Sequence, residues 1–240
     1  MSTYPVTLQA REEVAEGTMA FHFERPAGFT FKAGQAIDLI LADAPAVDGQ
    51  SARHAFSLVS APSAKELVVT TRMRDSAFKR VLKSLAVGAR VEIDGPFGSL
   101  ALHSDRARAA VFIAGGIGIT PFMSMLRQAT HDRLPQQLLL LYSNRRPEDA
   151  AFLTELQSLA QQNANFHFLP TMTEMIKSSQ PWVGETSLID GALLQKAVLG
   201  HQKPVFYVVG PPGMVAGMRE TLNRIGVDDD DIRSEEFFGY

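Results

Sequence analysis

The sequence predicts two domains, an antiparallel Greek-key β-barrel followed by an α/β domain with a parallel sheet. Three observations predict this fold class. The 240 residues, 45% of them hydrophobic and 20% charged, suffice for one or two globular domains. Up to Asp94, short segments alternate between apolar and polar residues, as in antiparallel strands. After Gly98, apolar strands alternate with helical segments, as in a parallel sheet covered by helices.

The first domain, assigned to residues 1–103, contains short strands separated by Gly, Pro or Asp. Met19, Phe21 and Phe23 alternate with polar neighbours, which indicates a strand with one buried face. Further strands are predicted at 37–41, 55–59, 67–71 and 90–93. A single helix is predicted over 77–85, where the apolar residues share one face. The stretch 42–52 is expected to be a loop.

The second domain, assigned to residues 108–240, begins after a polar connector. Its predicted strands cover 110–114, 138–142, 166–169 and 205–209. Helices are predicted from Thr120, from Pro147, near Ile189 and from Pro211. Strands and helices in this order are typical of a parallel sheet.

Composition excludes several classes of function. A net charge of -3 gives no field that would attract nucleic acid or anionic lipid, so neither partner is expected. The chain has no cysteine, so any iron–sulfur cluster held by thiolates must lie on a partner. The six scattered histidines give no metal-ligand pattern, and we expect no bound metal. No secretory signal opens the chain, so a cytoplasmic location is expected. The uncharged stretch 109–126 is interpreted as strand, turn and helix start, and no membrane association is expected.

A glycine turn follows the strand at 110–114. Helix N-termini bind phosphate, and glycines let the backbone approach a ligand. The turn therefore predicts a pyrophosphate site, with Thr120 as helix N-cap and Pro121 at the first helical position. The alternative is a tight turn that binds nothing. The residues assigned to nucleotide binding here are Gly115, Gly116, Gly118 and Thr120.

A second glycine turn follows the strand at 205–209, with Gly210, Pro211 and Met214 as predicted nucleotide contacts. Ligands of open α/β sheets bind at the carboxyl ends of strands. The two turns are therefore expected to flank one dinucleotide.

The end of the second strand of this domain bears on the choice between NADH and NADPH. Ser143 is followed by Arg145 and Arg146, and no acid precedes Glu148. An acid there would bond the ribose hydroxyls of NADH, whereas arginines can hold the 2′-phosphate of NADPH. The pattern favours NADPH and leaves NADH open. The alternative is a solvated loop whose arginines only neutralise the following helix.

One strand of the first domain brings a cation, an aromatic ring and a hydroxyl close together. These residues are Arg53, His54, Ala55, Phe56 and Ser57. A barrel strand of this kind can offer a charge to a phosphate, a ring for stacking and a donor to a heterocycle. On its own, the run is more typical of an ordinary half-buried strand.

Taken in order with Gly95–Gly98, Gly115–Pro121 and Val209–Pro211, this run resembles the ferredoxin–NADP reductase superfamily. The resemblance covers nearly the whole chain. It implies a barrel that binds FAD, with FMN as the alternative, and an α/β domain that binds NADPH or NADH. It also implies that the isoalloxazine ring lies at the seam between the domains.

The resemblance implies roles for residues of the barrel. Phe56 matches the aromatic along the flavin, and Ser57 matches the catalytic hydroxyl beside flavin N5. The family arginine stands two places before the aromatic, where this chain has His54, so either Arg53 or His54 contacts the cofactor phosphate. The start of the predicted helix resembles the pyrophosphate-binding segment, with an ordinary surface helix as the alternative. Flavin contacts are assigned there to Ala77, Phe78, Lys79 and Arg80, and also to Thr71.

Two features of the second domain carry further implications. Val209 stands where many family members have a cysteine near the nicotinamide. At the chain end, Tyr240 or Phe238 is implied to cover the flavin where the nicotinamide stacks, with simple packing as the alternative. Glu235 or Glu236 is a candidate proton relay, or a solvated carboxylate.

Three functions remain open from the sequence. The first is a reductase that keeps FAD, oxidises NAD(P)H and reduces ferredoxin, flavodoxin or an oxygenase component. The second is an NAD(P)H:flavin reductase that uses free flavin as substrate. The third is a non-autonomous electron-transfer subunit or a regulatory protein that only senses the nucleotide.

Overall fold

The computed structural model describes residues 3–41 and 52–238. Most of the loop expected at 42–52, and Tyr240, lie outside the described residues. The chain forms two units, Met1–Ala101 with Thr120–Gln128, and Leu102–Ile119 with Ala129–Tyr240. Residues 120–128 thus group with the first unit, although the domain limits of 1–103 and 108–240 remain predictions.

The first unit is a six-stranded antiparallel barrel with the strand order β4-β3-β6-β1-β2-β5. A bridge between Leu58 and Val69 connects the chain after β4 to β5 and closes the order. The predicted fold class is therefore confirmed for this half. The strands are β1 (Thr3–Ala15), β2 (Thr18–Glu24), β3 (Ala36–Ile40), β4 (Arg53–Ser57), β5 (Glu66–Arg72) and β6 (Arg90–Phe97).

The barrel core is built from alternating apolar positions of paired strands. Phe21 and Phe23 of β2, with Leu67 of β5, are fully buried. Helix α1 (Ala77–Ser84) adds Phe78 and Leu82 to the same core. Each large side chain removed from water in this way contributes about 1.5–3 kcal/mol. Burial of this helix face anchors the start of α1 against the barrel.

The second unit is a five-stranded parallel sheet with the order β11-β10-β7-β8-β9, which confirms the predicted α/β class. The strands are β7 (Ala110–Gly115), β8 (Leu138–Asn144), β9 (Phe166–Met172), β10 (Val205–Gly210) and β11 (Ile232–Glu236). The helices that lie between these strands in the sequence are α2 (Thr120–His131), most of which groups with the first unit, α3 (Leu153–Gln162), α4 (Gly191–Ala197) and α5 (Pro212–Arg224).

Two elements of the second unit differ from the predictions. The fifth strand, β11, was not identified by the alternation of strands and helices. The helix expected from Pro147 is a short 3-10 turn, Pro147–Asp149, and α3 begins only after Phe152. Phe152 adopts a left-handed conformation with φ 62°, which interrupts a continuous helix. Among the described residues, no helix has both the length and the apolar character needed to cross a membrane.

Candidate functional site

The strand order of the parallel sheet fixes where a ligand would bind. From β7 the chain proceeds to β8 and β9 on one side, and then to β10 and β11 on the other. The order therefore reverses between β7 and β10, and ligands of such sheets bind at this switch point. Both predicted glycine turns begin there, one at the end of β7 and one at the end of β10.

The two glycine turns pack directly against each other. A Cβ at Gly118 would collide with the carbonyl oxygen of Val209, and a Cβ at Gly115 or Gly210 would collide with the sulfur of Met214. Gly118 is therefore required by the neighbouring backbone, whereas Gly115 and Gly210 lie against the flexible side chain of Met214. The sequence explained all three by the approach of a ligand. Met214, a predicted nucleotide contact, covers both turns.

Thr120 is the first residue of α2, whereas the sequence placed it one position earlier, as the N-cap. A 3-10 turn over Gly116–Ile119 runs directly into α2, so Thr120 lies inside a continuous helical path and is buried. Gly116 begins this path with φ 54°, a value that favours glycine. The amino end of the helical segment still lies at the end of β7, where its dipole favours an anion.

At the second turn, Pro211 is the N-cap residue of α5, which begins at Pro212. This agrees within one residue with the predicted helix start. The first amide groups of a helix have no carbonyl partner within it. The second turn therefore offers a further amino end for a pyrophosphate at the switch point.

Both arginines after β8 are paired with carboxylates. Arg145 Nε lies 3.5 Å from Glu174 Oε1. The Nε and Nη2 atoms of Arg146 each donate to Asp149 over 2.9 Å. The guanidinium groups that the sequence assigned to a 2′-phosphate thus face acids of the chain. Ser143 pairs with Gly115 in the sheet, which places it beside the first glycine turn.

Glu148 is a fixed negative charge next to these pairs. Its carboxylate accepts hydrogen bonds from the Ser179 backbone N–H at 2.7 Å and from the hydroxyls of Ser178 and Ser179 at 2.9 and 2.8 Å. Burial raises its pKa, but the bonds from its own backbone and from the two serines outweigh burial and lower the pKa to about 2. The carboxylate is therefore ionised at neutral pH.

In the first unit, strand β4 separates the two candidate phosphate ligands. Arg53 donates from Nε to Asp38 over 2.6 Å and from Nη2 to Asp94. The hydrogen bonds to Asp38 and then to Asp94 raise the pKa of Arg53. Because alternate residues of a strand face opposite sides, His54 lies on the other face. The structure therefore gives Arg53 a role in binding these two acids.

His54 and Phe56 share the face of β4 that meets α1. Their rings lie 4.4 and 5.9 Å from the ring of Phe78, measured between centroids. Burial, and secondly the charge of Lys79, lower the pKa of His54. Burial, and secondly the charge of Arg74, lower the pKa of Lys79. These positive groups disfavour one another's charged forms, and a bound anion would relieve that repulsion.

The start of α1 also fits a pyrophosphate. Ser76 caps it by accepting a hydrogen bond from the Lys79 N–H at 3.2 Å, which leaves the earlier amides of the first turn available. Arg80 pairs with Asp75. Ala77 is half-buried at the helix start.

The remaining barrel residues of the candidate site differ in exposure. Ser57 and Thr71 are buried, whereas Ala55 is exposed on the Arg53 face.

The segment after β11 is hydrogen-bonded to the second glycine turn. The Phe237 N–H donates to the Gly210 carbonyl over 2.9 Å. Phe238 is 76% exposed, so the described part of the chain does not show it packed in a core crevice. Burial raises the pKa of Glu235, the half-buried candidate proton relay on β11.

Four acids that define these surroundings were not singled out from the sequence: Asp38, Asp94, Asp149 and Glu174. Asp149 stands three residues after Arg146, so its spacing was a usable signal. Glu174 reaches Arg145 only because β8 and β9 are parallel neighbours. Asp94 lies 41 residues from Arg53, and the sequence carries no local signal for that pair.

Residues 112–220 match the family model for an oxidoreductase NAD-binding domain. The chain is 28% identical over 221 residues to the reductase component of propane 2-monooxygenase from Rhodococcus jostii, covering 88% of this chain and 57% of that protein. It is 27% identical over 225 residues to ferredoxin–NADP reductase B from Sorangium cellulosum, covering 90% of this chain and 89% of the relative. The chain spans 57% of the length of the propane 2-monooxygenase reductase component. It spans 60% of the length of a second relative, the glycine betaine monooxygenase reductase subunit from Chromohalobacter salexigens, so it covers less than two thirds of either protein.

The fold is also that of a solved ferredoxin NADP+ reductase from Neisseria gonorrhoeae with bound FAD and NADP. The TM-score is 0.81 at 23% identity, covering 98% of this chain and 99% of that one. The domain match and the relatives that align along most of the chain support the resemblance to the ferredoxin–NADP reductase superfamily, and the shared barrel and sheet show that the chain has its fold.

Proposed function

We propose that the chain is an NAD(P)H-dependent flavoprotein reductase that passes electrons from a nicotinamide nucleotide to a separate acceptor with FAD as its cofactor. The observation that carries this proposal is the presence of both necessary parts in one chain. The barrel has a positively charged helix start beside His54 and Phe56, and the parallel sheet has two glycine turns at its switch point. Alignment with 89% of a ferredoxin–NADP reductase supports it further.

The residues of the chain have distinct roles in this proposal. The glycine turns bind the pyrophosphate of the nucleotide, and the start of α1 with His54 and Lys79 binds that of FAD. Phe56 lies along the flavin, and Ser57 donates a hydrogen bond beside N5. When bound, FAD would accept a hydride and release electrons singly. The chain contributes alignment and exclusion of water.

The proposed acceptor is ferredoxin, flavodoxin or an oxygenase component. Several relatives are named as reductase components of monooxygenases, which supports the last of these. A cluster held by thiolates would have to lie outside these 240 residues, since they contain no cysteine. The proposed location is the cytoplasm, where reduced nicotinamide nucleotides are available.

The test is an anaerobic titration of the FAD-loaded protein with NADH and with NADPH, followed in the flavin absorption bands. We expect bleaching by at least one nucleotide and reoxidation by added ferredoxin or flavodoxin. Ser57→Ala should slow the bleaching by about 100-fold or more, the range for loss of one preorganised hydrogen-bond donor. Failure of both nucleotides to bleach the flavin would contradict the proposal and favour a nucleotide-sensing protein.

A second candidate is a reductase that uses free flavin as substrate. One observation favours it: Arg53 is bound to Asp38 and Asp94, so one cation expected at the flavin phosphate is engaged elsewhere. Purification separates the two candidates. Stoichiometric flavin retained through gel filtration supports the resident cofactor, and a colourless protein that reduces added FMN supports the flavin substrate.

A further inference from the structure

The acids around the end of β8 bear on which nicotinamide nucleotide the sheet accepts. The adenosine half of a dinucleotide on the first glycine turn has β8 as its neighbour, since Gly115 pairs with Ser143. The other neighbour of β7 is β10, whose end carries the second glycine turn. The groups following Ser143 are therefore those that a ribose 2′-substituent would meet.

Glu174 is held at this position by the backbone. Beyond the paired ends of β8 and β9, the Thr173 N–H donates to the Asn144 carbonyl over 2.9 Å, and the Glu174 N–H donates to the Arg145 carbonyl over 2.8 Å. The carboxylate then faces Arg145 and accepts a bond from Lys177 Nζ at 2.6 Å. Its hydrogen bond to Lys177 is the main cause of its lowered pKa, so it stays ionised.

Arg146 is paired with a carboxylate along one edge of its guanidinium group. Two parallel hydrogen bonds to Asp149 occupy the edge formed by Nε and Nη2, one of the two edges with which a guanidinium binds a phosphate bidentately. The ionised Glu148, bound by Ser178 and Ser179, adds a third negative charge to this part of the chain. A doubly charged 2′-phosphate would have to displace a carboxylate or lie beside one.

We propose that this chain selects NADH over NADPH, and that Glu174 and Asp149 are the residues that determine the selection. The inference rests on the proposed function, because it names which nucleotide donates the hydride. It reverses the preference for NADPH suggested by the two arginines in the sequence. The arginines position the acids, and the acids exclude the phosphate.

The test measures binding of NAD+ and NADP+ by calorimetry. The two compounds differ only in the 2′-phosphate, and neither can reduce a flavin. We expect the FAD-loaded wild-type protein to bind NAD+ about 10-fold or more tightly than NADP+, as for one unfavourable charge contact. Glu174→Gln keeps the backbone bond to the Arg145 carbonyl and should reduce the ratio of the NADP+ to the NAD+ dissociation constant by roughly 3- to 10-fold. Adding Asp149→Asn should reduce this ratio further. High salt should reduce the ratio in the wild-type protein, because salt screens the repulsion between the acids and the phosphate.

The matched control is Glu220→Gln, which removes the carboxylate paired with Arg224 on α5 and should leave the ratio unchanged. Thermal melting of each variant establishes that it is folded. Equal or tighter binding of NADP+ by the wild type overturns the proposal, as does an unchanged ratio in folded Glu174→Gln and in the double variant. A protein that shows the expected ratio but transfers no hydride refutes the proposed function alone. Absence of binding of both nucleotides overturns both.

Discussion

His54 and Arg53 are adjacent in sequence, yet the barrel gives them opposite surroundings. Arg53 binds two acids on one face of β4, and His54 meets Phe78 and the charge of Lys79 on the other. The sequence left open which of them contacts the cofactor phosphate. The position of His54 beside Lys79 supports His54 as the residue that contacts the phosphate. A histidine there makes the positive charge depend on pH, which an arginine would not.

We predict that FAD affinity of the apoprotein weakens as pH rises. Burial and Lys79 hold the pKa of free His54 below 6.5, and a nearby phosphate raises it. The histidine therefore gains a proton on binding, and the affinity is lost as pH rises through the pKa of the bound form. Fluorescence titration with FAD at several pH values measures this dependence.

Two variants make that prediction specific to His54. His54→Arg should remove the pH dependence, and His54→Ala should weaken FAD binding by about 10-fold, as expected for one charged hydrogen bond. Arg53→Gln should lower stability while leaving FAD affinity largely unchanged. If Arg53→Gln weakens FAD binding and His54→Ala does not, the assignment of the two residues must be exchanged.

The two glycine turns pack closely against each other, so an added methyl group at Gly118 has no space. We predict that Gly118→Ala destabilises the protein by about 1–3 kcal/mol, the usual cost of an added methyl group without space. Gly217→Ala is the matched control, since a Cβ there meets nothing within 4 Å and lies on the exposed side of α5. The control should gain about 0.5–1 kcal/mol from helix propensity. Urea unfolding measures both, and equal stability of the two variants would contradict the packing argument.

Most strands were predictable from their buried apolar residues, whereas β1 and β11 were not. β2 was identified from Phe21 and Phe23, which alternate with polar neighbours, and β5 from a run of consecutive buried residues. β1 spans 13 residues but buries only Val6 and Leu8, and β11 buries only Ile232. Such strands are held by backbone pairing, which leaves little trace in the sequence. The location of the two glycine turns was predictable, whereas their mutual packing depends on strand order.

The second unit contains a buried polar network that links distant parts of the chain. His103 is 7% exposed, and its Nδ1 atom lies 2.9 Å from the Tyr207 hydroxyl. The amide nitrogen of Gln136 lies 2.8 Å from Nε2 of the same ring. Arg106 donates to Gln136 Oε1 over 2.7 Å, so the Gln136 amide group points at the ring as a donor. The Arg108 carbonyl oxygen also lies 3.1 Å from Nε2, so the buried ring is surrounded by both donors and acceptors.

Stability of the protein should decrease in mild acid because of this network. Burial lowers the pKa of His103 below its ordinary value of 6.5. Between the folded pKa and 6.5 the unfolded chain binds more protons, so the free energy of unfolding falls as pH drops through this window. Urea unfolding at pH 7.5 and below 6.5 should show the loss in the wild type. It should show a smaller pH-dependent loss in His103→Gln, although that variant starts less stable.

His167→Gln is the control for this prediction, since it changes an exposed histidine of β9. The same pH dependence in the wild type and in His103→Gln would rule out the network as the cause. His54 also has a lowered pKa, so a residual dependence in His103→Gln is expected to disappear when His54 is replaced as well.

The hydrogen bond from Phe237 to the Gly210 carbonyl makes one backbone amide a reporter of nucleotide occupancy. Its deuterium exchange requires the chain end to separate from the second glycine turn. A nucleotide that orders this turn should therefore slow exchange at Phe237. Mass spectrometry of the C-terminal peptide would then report binding in solution without a flavin, an acceptor or an added label.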